Sequence, residues 1–199
     1  MKKLVLQAAA KINLYLNVLG KRDDGYHEIE SVMQSVTLYD KIILRSLKKD
    51  ISILCDNPEA PSEKHNLCYR AAKLFLKETG IKQGVEIEIH KVIPMRAGLG
   101  GGSADAAAVL EGMSKLFGIE VSYLDLLKWA ERLGADVPFC LRGGTALVKG
   151  KGENILPLPP LRKGWLVLVH PEIPIPTFWI YKKLKVGLTK KRLNVKLLT

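Results

Sequence analysis

The sequence has few aromatic residues, few cysteines and no long apolar run. Phe, Trp and Tyr make up 7% of its 199 residues. They are not interleaved with basic residues in the strand pattern that RNA-binding modules use to stack bases. The three cysteines, Cys55, Cys68 and Cys140, are odd in number and far apart, and they form no C-x-x-C. That pattern suits reduced core thiols of a cytosolic protein rather than a disulfide framework. The four histidines, His27, His65, His90 and His170, show no i,i+4 pairing, which speaks against a structural metal site. No stretch approaches the roughly twenty apolar residues that span a bilayer. The opening MKKLVLQAAAK mimics a signal peptide, but Gln7 and Lys11 interrupt its apolar run, so the expected location is cytoplasmic. A G-x-x-x-x-G-K-[ST] phosphate loop is also missing.

What is present is globular. The chain is 47% hydrophobic and 26% charged, with a mean hydropathy of +0.06. It can bury a core as one compact domain, or as one domain with a small appendage. The net charge is +11 and the pI about 9.6. Such a balance suits nucleic acid, an anionic membrane surface or a phosphorylated small molecule. Seven of the positive charges lie in 182–199 with no acid among them, leaving +4 for the remainder.

Periodicity predicts a mixed order of strands and helices. Ile12, Leu14, Leu16 and Val18 alternate with Lys11, Asn13, Tyr15 and Asn17, as in a half-buried strand. Extended stretches are expected at 31–37, 41–46 and 51–55. A helix is expected over 66–79, stopped by Gly80. Residues 85–93 alternate again and end at Pro94. Ala106, Val109, Leu110, Met113 and Phe117 keep the helical period, and another helix is expected over 122–133. Pro138 should hold Val137 extended. Residues 145–149 read as a strand, 150–164 as a loop or linker, and 165–169 as a short buried strand. The mixture argues α+β.

The strongest chemical signal is Gly98, Gly100, Gly101 and Gly102 between a strand and a helix. Glycines let the backbone curl and present its N–H groups, and the following helix adds free donors and a positive dipole end. Phosphate is the natural guest. A dinucleotide fingerprint is a near miss: Gly98-x-Gly100 is there, but Ser103 stands in place of the last glycine, and Glu120 lies near the distance of a ribose-binding acid. A dinucleotide-binding oxidoreductase and a basic nucleic-acid-binding module therefore stay open as alternatives at this point.

PMRAGLGGGSADAAA resembles the ATP loop of the GHMP kinases, which include galactokinase, homoserine kinase and mevalonate kinase. The segments AAAKINLYLNVLGKRDDGYHEI, HNL, LGADVPF and PTFWIYK are similar, in order and spacing, to the branch of that family acting on a cytidine diphosphate-linked methylerythritol. Ala9 stands where the family has proline, and Asp105 where it has asparagine. The family's late second Gly-rich segment has no counterpart.

The resemblance implies an N-terminal domain of the ribosomal protein S5 domain 2-like kind: a mixed sheet with helices on one face and a left-handed βαβ crossover. It implies a catalytic domain over 1–157 and the incomplete start of a second α+β domain over 158–199. The activity implied is ATP- and Mg2+-dependent phosphorylation of the substrate's 2-hydroxyl in non-mevalonate isoprenoid precursor biosynthesis. ATP would lie against Asn66 and the loop residues Pro94, Met95, Arg96, Ala97, Gly98, Leu99, Gly100, Gly101, Gly102, Ser103 and Ala104. Asp136 would be the base and Lys11 its partner. Tyr26 and His27 would hold the cytosine, Tyr181 its other face, and Thr177 and Asn13 the phosphates or polyol.

By spacing alone these residues have plainer readings. Lys11 fits a solvated strand lysine, and Asp136 a turn or cap residue. Tyr26 fits a packed loop aromatic, and Asn66 an N-cap. Lys91 and Arg96 fit either phosphate contacts or solvated charges. Asp105 fits either a Mg2+ ligand or a favourable first-turn acid.

Overall fold

The computed structural model describes residues 2–171. One mixed six-stranded sheet forms the frame, with strands β1 (Lys3–Lys21), β2 (His27–Leu47), β3 (Ile51–Cys55), β4 (Gly84–His90), β5 (Thr145–Gly150) and β6 (Asn154–Pro157). The order is β3-β4-β2-β5-β6, with β1 on the other side of β2. Helices α1 (Leu67–Thr79), α2 (Gly101–Phe117), α3 (Tyr123–Leu133) and α4 (Val137–Arg142) complete the fold. The β3–β4 pair is parallel and joined through α1; every other ladder is antiparallel. This is the α+β architecture expected.

Strand β2 organises the sheet. The two stretches expected at 31–37 and 41–46 are one strand, which pairs with β1 along its whole length. On its other edge the first part takes β5 and the last part takes β4. Ile42 and Leu44 of β2 and Val85, Ile87 and Ile89 of β4 bury one face under α1 and α2. Arg45 on the other face bridges Glu86 and Glu88 at 2.6 Å each. Alternation with period two explains both faces. Helix α2 lies so close to the sheet that a Cβ on Gly112 would fall 2.3 Å from Leu6 Cδ1 and 2.7 Å from Leu44 Cδ1. Phe75 of α1 meets Trp129 of α3 edge to face at 5.7 Å.

Helix ends match their capping residues. Asn66 and Ser122 accept backbone N–H bonds at the starts of α1 and α3, and Gly80 closes α1 in the left-handed conformation.

Four expectations are corrected. The polar face of β1 is the buried one: Lys11 and Asn17 are buried, whereas Leu14 and Leu16 stay 45% and 46% exposed. Register shifts at Ala9/Lys11, Asn13/Tyr15 and Val18/Gly20 break the simple alternation. Val137 opens α4 instead of remaining extended, because proline is tolerated in a first helical turn. Residues 154–157, expected as loop or linker, form β6 against β5. Residues 165–169 form no strand, and Trp165 is fully exposed; among the described residues no backbone ladder reaches them, so an extended conformation has nothing to pair with. Residues 3–11 of the segment that mimics a signal peptide lie in β1, and no helix among the described residues is long and apolar enough to cross a membrane.

Candidate functional site

Residues 91–100 connect β4 to α2, and the glycine-rich loop 94–102 runs from this connection into the helix's first turn. Gly100 stands at the N-cap position of α2 with φ +70°, and no side chain caps that helix. Its first-turn N–H groups are therefore open to an anion, with the dipole's positive end behind them. Glycine at 100 is required twice over. Its φ is left-handed, and a Cβ there would lie 2.9 Å from Lys11 Cγ. The Lys11 backbone N–H also donates to Leu99 O at 2.9 Å, so β1 is tied directly to the loop.

Lys11 projects from β1 between the loop and α4. Its Nζ donates to Asn13 Oδ1 at 2.7 Å and approaches Asp136 Oδ2 at 3.6 Å. Asn13 donates in turn to Ser31 Oγ at 2.7 Å, and the Ser31 hydroxyl donates to Tyr15 O at 2.6 Å. This chain fixes the asparagine's orientation and hence the lysine's. Asp136 occupies the N-cap position of α4, yet its side chain makes no cap hydrogen bond. The plain cap reading therefore fails for Asp136, and the solvated-strand reading fails for the buried Lys11. An ammonium beside a half-exposed carboxylate can offset phosphate charge next to a proton acceptor.

These residues line one cavity of about 900 Å³. Lys11, Asn13, Tyr26, His27, Asn66, Pro94, Met95, Arg96, Ala97, Gly98, Leu99, Gly100, Gly101, Gly102, Ser103 and Asp136 all face it. Ala104 does not; it is buried behind the loop. Five lysine or arginine residues line the cavity against two aspartates, a balance suited to a polyanion. Thr177 and Tyr181 lie outside the described residues.

Tyr26 and His27 stand at one end of the cavity, where the loop closed by Arg22 N–H to Tyr26 O at 2.8 Å meets the start of β2. Tyr26 is 52% exposed, so its ring is available for stacking. Lys151 reaches over it from the β5–β6 turn, with Nζ 4.9 Å from the ring centroid. The Ile29–Gly150 pairing of β2 and β5 brings those two turns together.

Asn66 faces the cavity, but its side chain accepts from the Cys68 N–H at 2.9 Å, so it is the cap of α1 as well. Lys91 and Asp105 are not solvated charges. Lys91 Nζ donates to Asp40 Oδ2 and to Asp105 Oδ2, the latter at 2.8 Å. Burial works against the Lys91 charge, but Asp105 and Asp40 outweigh it and hold its pKa above the ordinary lysine value. Burial pushes the Asp105 carboxyl up to about 7 against the pull of Lys91. The other Asp105 oxygen, Oδ1, is buried without a hydrogen-bond partner. Although Asp105 borders the cavity, its carboxyl is thus engaged by Lys91 on one oxygen and sealed on the other. Cys68 is buried, and both it and Cys140 are pushed up by burial, as expected of inert packed thiols.

Sequence reasoning missed Asp40, Lys21 and Lys151. Asp40 sits inside β2 between Tyr39 and Lys41, where an isolated acid carries no motif. Lys151 falls in a stretch that read as linker, and only the β5–β6 pairing places it at the cavity.

The GHMP kinases N terminal domain matches residues 66–144. The chain is 43% identical over 198 residues to the 4-diphosphocytidyl-2-C-methyl-D-erythritol kinase of Acetivibrio thermocellus, covering all of this chain and 70% of the relative. It is 48% identical over 183 residues to the enzyme of that name from Clostridium botulinum, covering 92% of this chain and 65% of the relative. The chain thus spans about two thirds of the length of these relatives. The crystal structure of a 4-(cytidine 5'-diphospho)-2C-methyl-D-erythritol kinase superposes with a TM-score of 0.79 at 35% identity, over 97% of this chain and 69% of that one. Homoserine kinase from Cytophaga hutchinsonii shares the fold, with a TM-score of 0.68 at 23% identity over all of this chain and 64% of that one. The dinucleotide-binding and nucleic-acid-binding alternatives find no support in these likenesses.

Proposed function

Since the chain belongs to the 4-diphosphocytidyl-2-C-methyl-D-erythritol kinase family of GHMP kinases, we propose that it transfers the γ-phosphoryl group of ATP to the 2-hydroxyl of 4-diphosphocytidyl-2-C-methyl-D-erythritol, a step in non-mevalonate isoprenoid precursor biosynthesis. The observation that carries this reading is Asp136 turned toward Lys11 instead of capping its helix, in the same cavity as the uncapped glycine loop. A nucleotide's phosphates sit against the loop and the N-terminus of α2. The cytosine stacks on Tyr26 with His27 beside it, and Asn13 meets the polyol or phosphates between the two ends. The catalytic domain runs to Pro157, the end of β6.

Phosphoryl transfer needs positioning and charge stabilisation more than covalent chemistry. Asp136 accepts the proton of the hydroxyl as its oxygen attacks the γ-phosphorus in line, and ADP leaves. Lys11 orients the carboxylate and offsets charge on the transferring group. Mg2+ would arrive on the nucleotide and neutralise phosphate charge. Such an ion keeps several waters and needs only one or two carboxylates. Of the two aspartates on the cavity, Asp136 serves as the base beside Lys11, and Asp105 is held by Lys91 with its other oxygen sealed, so such an ion would be held chiefly by the nucleotide's phosphates and by water.

Melting-temperature shifts test the reading. A non-hydrolysable ATP analogue and cytidine diphosphate should each raise Tm, and NAD and RNA should not. An upward shift with NAD alone would overturn it. A direct assay should show ATP-dependent phosphate incorporation into the cytidyl substrate.

A further inference from the structure

We propose that Asp40 and Lys91 are positioning residues which clamp both ends of the 94–102 loop and so hold it in its anion-receiving shape; this rests on the nucleotide reading above. Asp40 is fully buried in β2. Its Oδ1 accepts from the Val92 N–H at 2.6 Å and the Ile93 N–H at 2.8 Å, fixing the chain just before Pro94. Its Oδ2 accepts from Lys91 Nζ. The same ammonium donates to Asp105 Oδ2 at 2.8 Å, within the first turns of α2. One carboxylate thus fixes the incoming end of the loop, and one ammonium ties that end to the outgoing helix.

The loop needs such a tie. Arg96, Gly98 and Gly100 have φ of +55°, +72° and +70°. A left-handed non-glycine residue costs free energy and persists only where its surroundings impose it. The clamp also lies directly against the loop's end, because a Cβ on Gly101 would fall 3.2 Å from Lys91 Nζ. Buried ion pairs are poor stabilisers, since desolvation offsets their attraction. They are best attested where they select one arrangement over others, and here that arrangement is the curl of the loop.

Three proteins decide the matter: the wild type, Lys91→Met, and Asp40→Asn/Lys91→Met. Lys91→Met leaves two buried carboxyl groups, Asp40 and Asp105, without their ammonium partner and should lower Tm. The double variant removes the Asp40 charge, leaving only Asp105 without its partner, while the new side-chain amide at position 40 still accepts from Val92 and Ile93 through its carbonyl, so Tm should recover in part. In both variants amide exchange over 95–103 should rise without ligand. If only a tenth of the molecules then hold the competent loop, affinity for a non-hydrolysable ATP analogue falls about tenfold, with cytidine diphosphate affinity unchanged. A nucleotide affinity that recovers alongside Tm in the double variant would reduce the triad to a structural role and overturn the proposal. Unaltered loop exchange in both variants would overturn it as well. If the wild type binds no ATP analogue while loop exchange still responds to Lys91→Met, the clamp stands and the kinase reading falls.

Discussion

Lys11 and Asp136 stand 3.6 Å apart, ammonium to carboxylate, one on the edge strand and the other at the head of a six-residue helix. Because Asp136 caps nothing, its loss should leave folding nearly untouched. Asp136→Asn keeps the shape and removes the proton acceptor, so kcat should fall by about 10²–10⁴ with Tm almost constant. Lys11→Met should lower kcat by a comparable order through lost charge stabilisation. Full phosphorylation activity in Asp136→Asn would sink the assignment of the base.

Gly100 links that dyad to the phosphate loop. An alanine there would have to adopt φ +70° and would press its Cβ against the Lys11 stem at 2.9 Å. The left-handed conformation alone costs about 1–2 kcal/mol for a residue with a Cβ. Gly100→Ala should therefore lower the unfolding free energy measured in urea by at least that amount and impair both KM for ATP and kcat. A change in KM alone would mean that Lys11 stays in place.

How much of this was legible in the sequence depends on how local the cause was. Asn66 and Gly80 announced their helix ends because capping is decided by one residue and its nearest backbone. The glycine loop was legible for the same reason: four glycines before an amphipathic run are a local signature. The face that β1 buries was not, because its register shifts depend on pairing with β2. Asp40 was invisible, since its partners at Lys91, Val92 and Ile93 come from the end of another strand. Asp136 was ambiguous until Lys11 was seen beside it. No spacing rule distinguishes a helix cap from a base held by a distant strand.

Tyr26 offers an exposed ring at one end of the cavity, with Lys151 Nζ 4.9 Å from its centroid. Base–aromatic stacking is worth about 1–3 kcal/mol. Tyr26→Ala should accordingly raise KM for the cytidyl substrate about tenfold or more, while KM for ATP stays within a factor of about two. Tyr26→Phe retains the ring and should behave like the wild type. Equal loss in both variants would assign the effect to the hydroxyl rather than to stacking.

Asp105 gives the fold a pH dependence whose sign is opposite to that of most surface acids. Its carboxyl is raised from 3.8 to about 7 by burial, with Lys91 opposing. The folded state therefore holds this proton more tightly than the unfolded chain does. Below about pH 4 both states are protonated and no penalty arises. As pH rises toward 7 the unfolded chain ionises freely while the folded one resists, so stability falls across that window. It levels off above the folded pKa. One proton corresponds to a slope of up to about 1.4 kcal/mol per pH unit. Asp24, Asp56, Glu88 and Asp125 are held below their ordinary values. Their contributions fade only as pH falls beneath the usual carboxylate range, so over the interval from about 4 to 7 the difference between the wild type and Asp105→Asn reads Asp105. Urea titrations at half-unit steps should show the downward slope in the wild type, and Asp105→Asn should flatten it. An unchanged slope in that variant would place the titrating group elsewhere.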